Sequence, residues 1–346
     1  MRENILVTGG AGFFGSILKK QLIDAGYDVV VLDLEKDTDE YEHLVSVQGD
    51  IRDETLLGEL FEKYHFTSVV HLAAFLAHEV KNKEELWSSN VEGTKCVRDA
   101  CINYGCKNIA FTSSNCLWAE DVSDLVPETK EPNPVEIYGK SKWEGEKLLQ
   151  ETAGNLNATI FRCPTIIDEG RLGLLALLFE FIDEDRKVPM VGKGENRYQF
   201  IYAKDLGNAI IKSLHAQKTE IYNIGSDNVK TFNEVYQYVI DKSGSKSRLW
   251  HLPKGFMTFG MKVCHFLHIS PLGPYQYKMI AASFVFDTSK IKRELGWEPT
   301  LSNEEMLYRS YEYYKNNREE IEHRTGVSAH KRGAKAGVIR LLKHFC

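Results

Sequence analysis

Tyr138 and Lys142 stand four residues apart in Tyr138-Gly139-Lys140-Ser141-Lys142, a spacing that puts both side chains on one face of a helix. A free tyrosine titrates near pH ~10, so it needs a neighbouring cation to act as a base at neutral pH, and Lys142 supplies one. By itself such a pair also describes a solvated helix face. Its company argues for chemistry. Thr112-Ser113-Ser114 ends a strand upstream, and Gly10-x-Gly12-x-x-Gly15 follows another strand and opens a helix. At such a turn the unpaired backbone N–H groups and the helix dipole attract a pyrophosphate, and glycine lets the backbone approach it. Asp33 ends the second strand, where a carboxylate accepts hydrogen bonds from a ribose diol and repels a 2′-phosphate, which favours NAD over NADP.

These groups need a frame. Apolar, β-branched runs at Asn4–Thr8, Asp28–Leu32, Val45–Gly49, Ser68–Leu72, Asn108–Thr112 and Thr159–Arg162 alternate with longer helical patterns. That rhythm predicts parallel strands with crossover helices. Most of the runs are apolar throughout, as strands covered on both faces should be. The expected fold is α/β: a doubly wound parallel-sheet Rossmann domain with a smaller, interleaved α/β substrate domain. After Pro164 the rhythm breaks. Leu172–Ile182 reads as a helix outside the sheet, Val188–Gly194 and the loop Glu195–Arg197 follow, and Glu220–Ile224 returns as a late strand. Residues 1–163 plus 199–224 are assigned to the NAD-binding domain, 164–198 plus 225–322 to the substrate domain, and 323–346 to a basic amphipathic tail.

A hydrophobic fraction of 43% excludes a disordered or fibrous chain. The seven cysteines form no Cys-x-x-Cys pair, so neither a metal site nor a disulfide framework is expected. There is no run of about 18 apolar residues and no signal-peptide pattern, which predicts a cytoplasmic protein. Net charge is −6, but six cations follow the last acidic residue, Glu322, so residues 1–322 carry −12. Nucleic acid is an unsuitable partner for so acidic a body. In residues 335–346, Val338, Ile339, Leu341, Leu342 and Phe345 form one helical stripe, with Lys335, Arg340, Lys343 and His344 elsewhere. Such a piece can make peripheral contact with the inner face of an anionic membrane, set against a terminal helix that docks on a neighbouring subunit or frays in solvent.

Taken in order, Thr8-Gly9-Gly10-Ala11-Gly12-Phe13-Phe14-Gly15, Gly49-Asp50-Ile51-Arg52-Asp53, His71-Leu72-Ala73-Ala74, Asn90, Ser113-Ser114, Tyr138-x-x-x-Lys142 and Asp287-Thr288-Ser289-Lys290 with Leu295-Gly296-Trp297-Glu298-Pro299 resemble the extended short-chain dehydrogenase/reductases, the NAD-dependent epimerase/dehydratase family. The resemblance implies a Ser/Tyr/Lys active site. Tyr138 would exchange a proton with a substrate hydroxyl or carbonyl while the nicotinamide takes or gives hydride. Lys142 would hold the cofactor ribose and lower the Tyr138 pKa, and Ser114 would hydrogen-bond the reacting oxygen. Gly9, Gly12, Phe13, Phe14 and Gly15 would cradle the pyrophosphate. Asp50 and Ile51 would flank the adenine, and Leu72, Ala73 and Ala74 would line the dinucleotide. The family also suggests a homodimer packed through the helices around Val91–Tyr104 and Val135–Glu151.

Departures from the family narrow the reaction. Its 4,6-dehydratases carry Asp and Glu after the catalytic Ser/Thr; here Asn115 and Cys116 stand there, which disfavours dehydration. The usual Val-Tyr-Gly is Leu117-Trp118-Ala119, and the Asn and Tyr-Gly-Pro downstream of the Arg162 position are replaced in Arg162-Cys163-Pro164-Thr165-Ile166-Ile167-Asp168. Arg197, one residue off the commonest family placement, is a candidate phosphate clamp set against an ordinary surface arginine. His78 is a candidate for the pocket border, set against a packed or exposed histidine. The leading expectation is an NAD-dependent sugar-nucleotide epimerase or ketoreductase. The alternatives are a 3β-hydroxysteroid-dehydrogenase-like enzyme acting on an apolar cyclic alcohol and a non-catalytic NAD-binding regulator.

Overall fold

The computed structural model describes residues 2–76, 82–152, 154–173, 175–266 and 274–323. Its strands are β1 (Asn4–Thr8), β2 (Asp28–Asp33), β3 (Leu44–Gln48), β4 (Ser68–His71), β5 (Asn108–Ser114), β6 (Asn157–Cys163), β7 (Thr165–Ile167), β8 (Lys187–Val191), β9 (Phe200–Tyr202), β10 (Glu220–Asn223) and β11 (Arg248–Leu252). Its helices are α1 (Phe13–Asp24), α2 (Glu54–Tyr64), α3 (Lys83–Trp87), α4 (Gly93–Asn103), α5 (Ile137–Gln150), α6 (Leu175–Asp183), α7 (Ala203–Ser213), α8 (Phe232–Ser243), α9 (Lys254–Phe266), α10 (Pro274–Met279), α11 (Ser289–Leu295), α12 (Asn303–Asn316) and α13 (Arg318–His323).

Seven strands form one parallel sheet in the order β10-β6-β5-β4-β1-β2-β3. The order reverses between β1 and β4, and in a doubly wound sheet ligands bind beyond the carboxyl ends of the strands at that switch point. The glycine turn follows β1 and Leu72-Ala73-Ala74 follows β4, so both open onto this crevice. On one face Ile5, Val7, Val29 and Val31 pack with Leu18 and Leu22 of α1 and Leu206 and Ile210 of α7. On the other, Leu6, Val30 and Val69 pack with Leu57 and Phe61 of α2 and Val97 of α4. Successive side chains along a strand point to opposite faces, so burial on both sides makes the run apolar throughout. β3 departs from that pattern: as the edge strand it leaves Val45 exposed.

Beyond β6 the chain builds a second, smaller body. Phe179 of α6, Val188 of β8, Val235 of α8 and Leu307 and Tyr311 of α12 share one core. Two short parallel pairs, β7 with β9 and β8 with β11, lie outside the main sheet. The sequence pattern does not disclose β7 or β9, because three residues carry no legible period. No described helix is long and apolar enough to cross a membrane. Among the described residues no cluster of His, Cys, Asp and Glu could hold a metal ion, and Cys96, Cys101, Cys106, Cys116 and Cys163 are free thiols. His78 and residues 335–346 lie outside the described residues.

Candidate active site

The crevice at the switch point is built by close backbone packing. A Cβ on Gly15 would stand 2.4 Å from the Gly9 carbonyl oxygen and 2.6 Å from Gly10 Cα, so only glycine lets the first turn of α1 close against the loop that feeds it. Gly12 is the N-cap of α1 and has no side chain to accept from that turn. The cap leaves a place for an external anion. Phe13 and Phe14 are buried beneath it in the core.

At the end of β2 the Asp33 carboxylate accepts from the Ala11 N–H (2.9 Å) and the Glu35 N–H (3.0 Å), fixing it beside the glycine turn. The acidic loop beyond is anchored by Lys19 of α1. Its buried ammonium lies 2.6 Å from Asp37 and 2.7 Å from Asp39. A 2′-phosphate placed beside Asp33 would also meet the negative charge of this loop. Asp50 is gripped by the Arg52 guanidinium at 2.5 Å, which holds its carboxyl below the usual range, and Ile51 is buried next to it. Leu72 donates to the Thr8 carbonyl (3.1 Å), tying the run Leu72-Ala73-Ala74 to the end of β1. Below it His71 joins Thr8 Oγ1 (2.6 Å) and Thr94 Oγ1 (2.9 Å), and burial lowers its pKa to about 3, so this imidazole is a neutral strut. A close-packed glycine turn, an open helix N-terminus and a carboxylate at the end of β2 fit a dinucleotide.

The predicted Ser/Tyr/Lys set lies on β5 and α5, which pack together. Lys142 donates to the Thr112 carbonyl at 2.9 Å and stands 4.7 Å from the centre of the Phe111 ring. Its ammonium is buried, and that loss of water lowers its pKa to about 8. Ser114 ends β5, and its hydroxyl accepts from the Cys116 N–H (3.1 Å). Gly139 makes the approach possible. A Cβ there would come within 2.2 Å of the Cys116 carbonyl oxygen, so the residue after Tyr138 lets α5 sit directly on the turn that carries Ser114.

Asn90 supplies a third tie. It sits in a π-helical turn (Ser88–Glu92), a widened turn of a kind frequent at functional sites. Its side chain accepts from the Phe75 N–H (2.7 Å), and its Nδ2 donates to the Phe75 carbonyl and to Ser141 Oγ, both at 3.0 Å. Ser141 in turn donates to the Tyr138 carbonyl (2.8 Å). One asparagine thus couples the loop after β4 to the turn of α5 that bears Tyr138 and Lys142.

Other predicted residues fall elsewhere. Arg197 is exposed and its guanidinium donates to the Val229 carbonyl. Its neighbour Tyr198 turns inward: its hydroxyl lies 2.6 Å from Asn115 Nδ2 and 3.2 Å from the Tyr275 hydroxyl. Tyr275 is held through its N–H by the Glu136 carboxylate (2.7 Å), two residues before Tyr138. Sequence reading missed Tyr198 and Tyr275, since neither lies near Ser114 along the chain and only the fold brings the Tyr198 hydroxyl to Asn115 and the Tyr275 hydroxyl to Tyr198. Trp118, Phe284 and Phe286 back this cluster with an aromatic wall. Arg162 forms a buried pair with Glu146 (2.7 Å), one turn beyond Lys142, beneath the Trp118 ring.

The sequence model of the NAD dependent epimerase/dehydratase family matches residues 5–225. Over 348 aligned residues the chain is 33% identical to the uncharacterized protein y4nG of Sinorhizobium fredii, covering 99% of this chain and 86% of that one. It is 30% identical over 260 residues to the N-acetyl-alpha-D-glucosaminyl-diphospho-ditrans,octacis-undecaprenol 4-epimerase of Escherichia coli O157:H7, covering 73% of this chain and 76% of the other. Among solved structures it is similar to UDP-glucose 4-epimerase from Thermotoga maritima with UDP-glucose. That match has a TM-score of 0.74 and 26% identity, and covers 91% of this chain and 99% of that one.

Proposed function

The chain belongs to the NAD dependent epimerase/dehydratase family, and from that premise we propose that it is a sugar-nucleotide epimerase or ketoreductase whose reacting groups are Ser114, Tyr138 and Lys142. NAD is the cofactor, and when bound it supplies the oxidant that draws hydrogen from a sugar carbon and can return it. Gly9, Gly12, Phe13, Phe14, Gly15, Asp33, Asp50, Ile51, Leu72, Ala73 and Ala74 hold it. The observation that carries the reading is the packing of α5 on the end of β5 through Gly139, which brings the Tyr138 turn, buried Lys142 and Ser114 into one place.

Ser114 Oγ orients the substrate oxygen. Tyr138 Oη takes the proton from that oxygen and gives it back, and the Lys142 ammonium favours the phenolate. Asn115 and Cys116 support the exclusion of dehydration. Asn115 is neutral and bonded to Tyr198, while burial raises the Cys116 thiol to about 11, so neither suits the acid and base that elimination requires. The body of α6, β8, α8 and α12 closes over the sugar, and the enzyme works as a cytoplasmic homodimer.

A second reading, oxidation of an apolar cyclic alcohol, is favoured by the outward Arg197, which leaves no cation turned inward at that position for a diphosphate. Turnover separates the two. An epimerase interconverts UDP-sugars without consuming added NAD, whereas a dehydrogenase accumulates NADH absorbance in proportion to product. Tyr138→Phe is expected to lower kcat by about 10²–10⁴ with folding and NAD-induced thermal stabilisation retained. Full activity of this variant on every substrate that the wild type turns over would overturn the assignment.

A further inference from the structure

On α9, Phe256 is 75% exposed, Phe259 67% and Val263 40%. Positions i, i+3 and i+7 share one helix face, so the three form a stripe, and Ile280 just past α10 is exposed as well. Single exposed apolar residues are ordinary on protein surfaces, but two phenylalanines in register on one element mark an interaction face. This part of the sequence is rich in cations. Between Asp241 and Asp287 the sequence holds no acidic residue, while Lys242, Lys246, Arg248, Lys254, Lys262 and Lys278 fall inside that stretch of a chain whose net charge is −6. On α9 and α10 themselves the cations are Lys254, which also faces Asp121 at 3.7 Å, Lys262 and Lys278, so the apolar stripe is flanked by a net positive charge.

We propose that α9 docks this protein on an anionic lipid surface, with Phe256, Phe259 and Val263 entering the headgroup boundary and the lysines pairing with the headgroups. An apolar stripe flanked by cations is the pattern of interfacial helices, and the basic stretch would be attracted to anionic lipid. A second copy is the poorer occupant, because two such faces would meet with like charge. Docking here would set the bilayer beside the candidate site. α9 packs on α10, and Tyr275 of α10 reaches Tyr198 within 3.2 Å between their hydroxyls. The inference does not depend on which reaction the site performs, since it is read without turnover.

Co-sedimentation with phosphatidylcholine vesicles, with and without phosphatidylglycerol, tests it. The full chain is expected to sediment with the phosphatidylglycerol vesicles, to be released by high salt and to ignore pure phosphatidylcholine. The Phe256→Glu/Phe259→Glu variant is expected to bind the anionic vesicles at least about tenfold more weakly while keeping the wild-type thermal shift with NAD. Wild-type protein that stays in the supernatant, a double variant that binds as well as wild type, or a wild-type dimer that the double variant dissociates would each overturn the proposal.

Discussion

Lys142, a proposed reacting group, is a single residue that costs the fold stability. Its folded pKa of about 8 lies below the 10.5 of the free side chain, because burial disfavours the ammonium. An unfolded chain holds that proton until pH 10.5, so the cost of the buried charge is complete below pH 8 and fades as the pH rises from 8 to 10.5. At 1.36 kcal/mol per pKa unit that cost reaches about 3 kcal/mol, partly offset by the bond to the Thr112 carbonyl and the Phe111 ring. Lys142→Met should therefore lower kcat by about 10² or more while the melting temperature at pH 7 does not fall. Any melting advantage of the variant should shrink between pH 8 and 10. A large loss of melting temperature at pH 7 would show that the lysine holds the fold rather than the chemistry.

Among the elements, α5 carries the most consequence, because both proposed reacting groups on it depend on where it sits. Gly139 sets its distance from the Ser114 turn. Asn90 ties it to the loop after β4, and Glu146 locks it to β6 through Arg162, whose guanidinium also donates to the Glu128 carbonyl (2.7 Å). Removing one partner of a buried pair leaves an uncompensated charge, so Glu146→Gln is expected to destabilise the protein by roughly 3–5 kcal/mol, read by chemical denaturation. A double Glu146→Gln/Arg162→Met variant should recover part of that loss. The pair was not legible in the sequence, since Arg162 and Glu146 belong to separate elements and nothing in their local patterns links them. The opposite holds for Tyr138 and Lys142, whose relation is purely local.

At the scale of the whole molecule, Asp168 ties segments that lie far apart in the chain. It follows β7, and its carbonyl accepts from Ser310 Oγ of α12 (2.9 Å). Lys204, Arg309 and Glu169 face its carboxyl, yet burial raises the pKa to about 6 from 3.8, and Oδ2 has no hydrogen-bond partner. A raised carboxyl pKa favours the protonated, folded form. The contribution is complete below pH 3.8 and is lost as the pH passes 6, a difference of about 3 kcal/mol. Asp168→Asn is expected to raise the melting temperature at pH 8 and to give no advantage below pH 4. A variant less stable than wild type at pH 8 would mean that the charged carboxylate is needed there.

Much of this protein is determined by local sequence. The strands β1, β2 and β4–β6, the glycine turn, Asp33, and the Tyr138–Lys142 spacing all rest on periods and neighbours within a few residues, so they can be read without a fold. The doubly wound parallel sheet follows from those periods, because parallel strands with crossover helices admit few arrangements, while the order of its seven strands is a matter of the fold. Only the tertiary structure decided which side chains meet across long separations. It turned Tyr198 rather than Arg197 toward Asn115, brought Tyr275 to the same point and buried Arg162 against Glu146. It also left the phenylalanines of α9 uncovered. Each outcome depends on how elements pack, and a side chain's direction at a loop or its exposure on a helix is set by neighbours that lie far away along the chain.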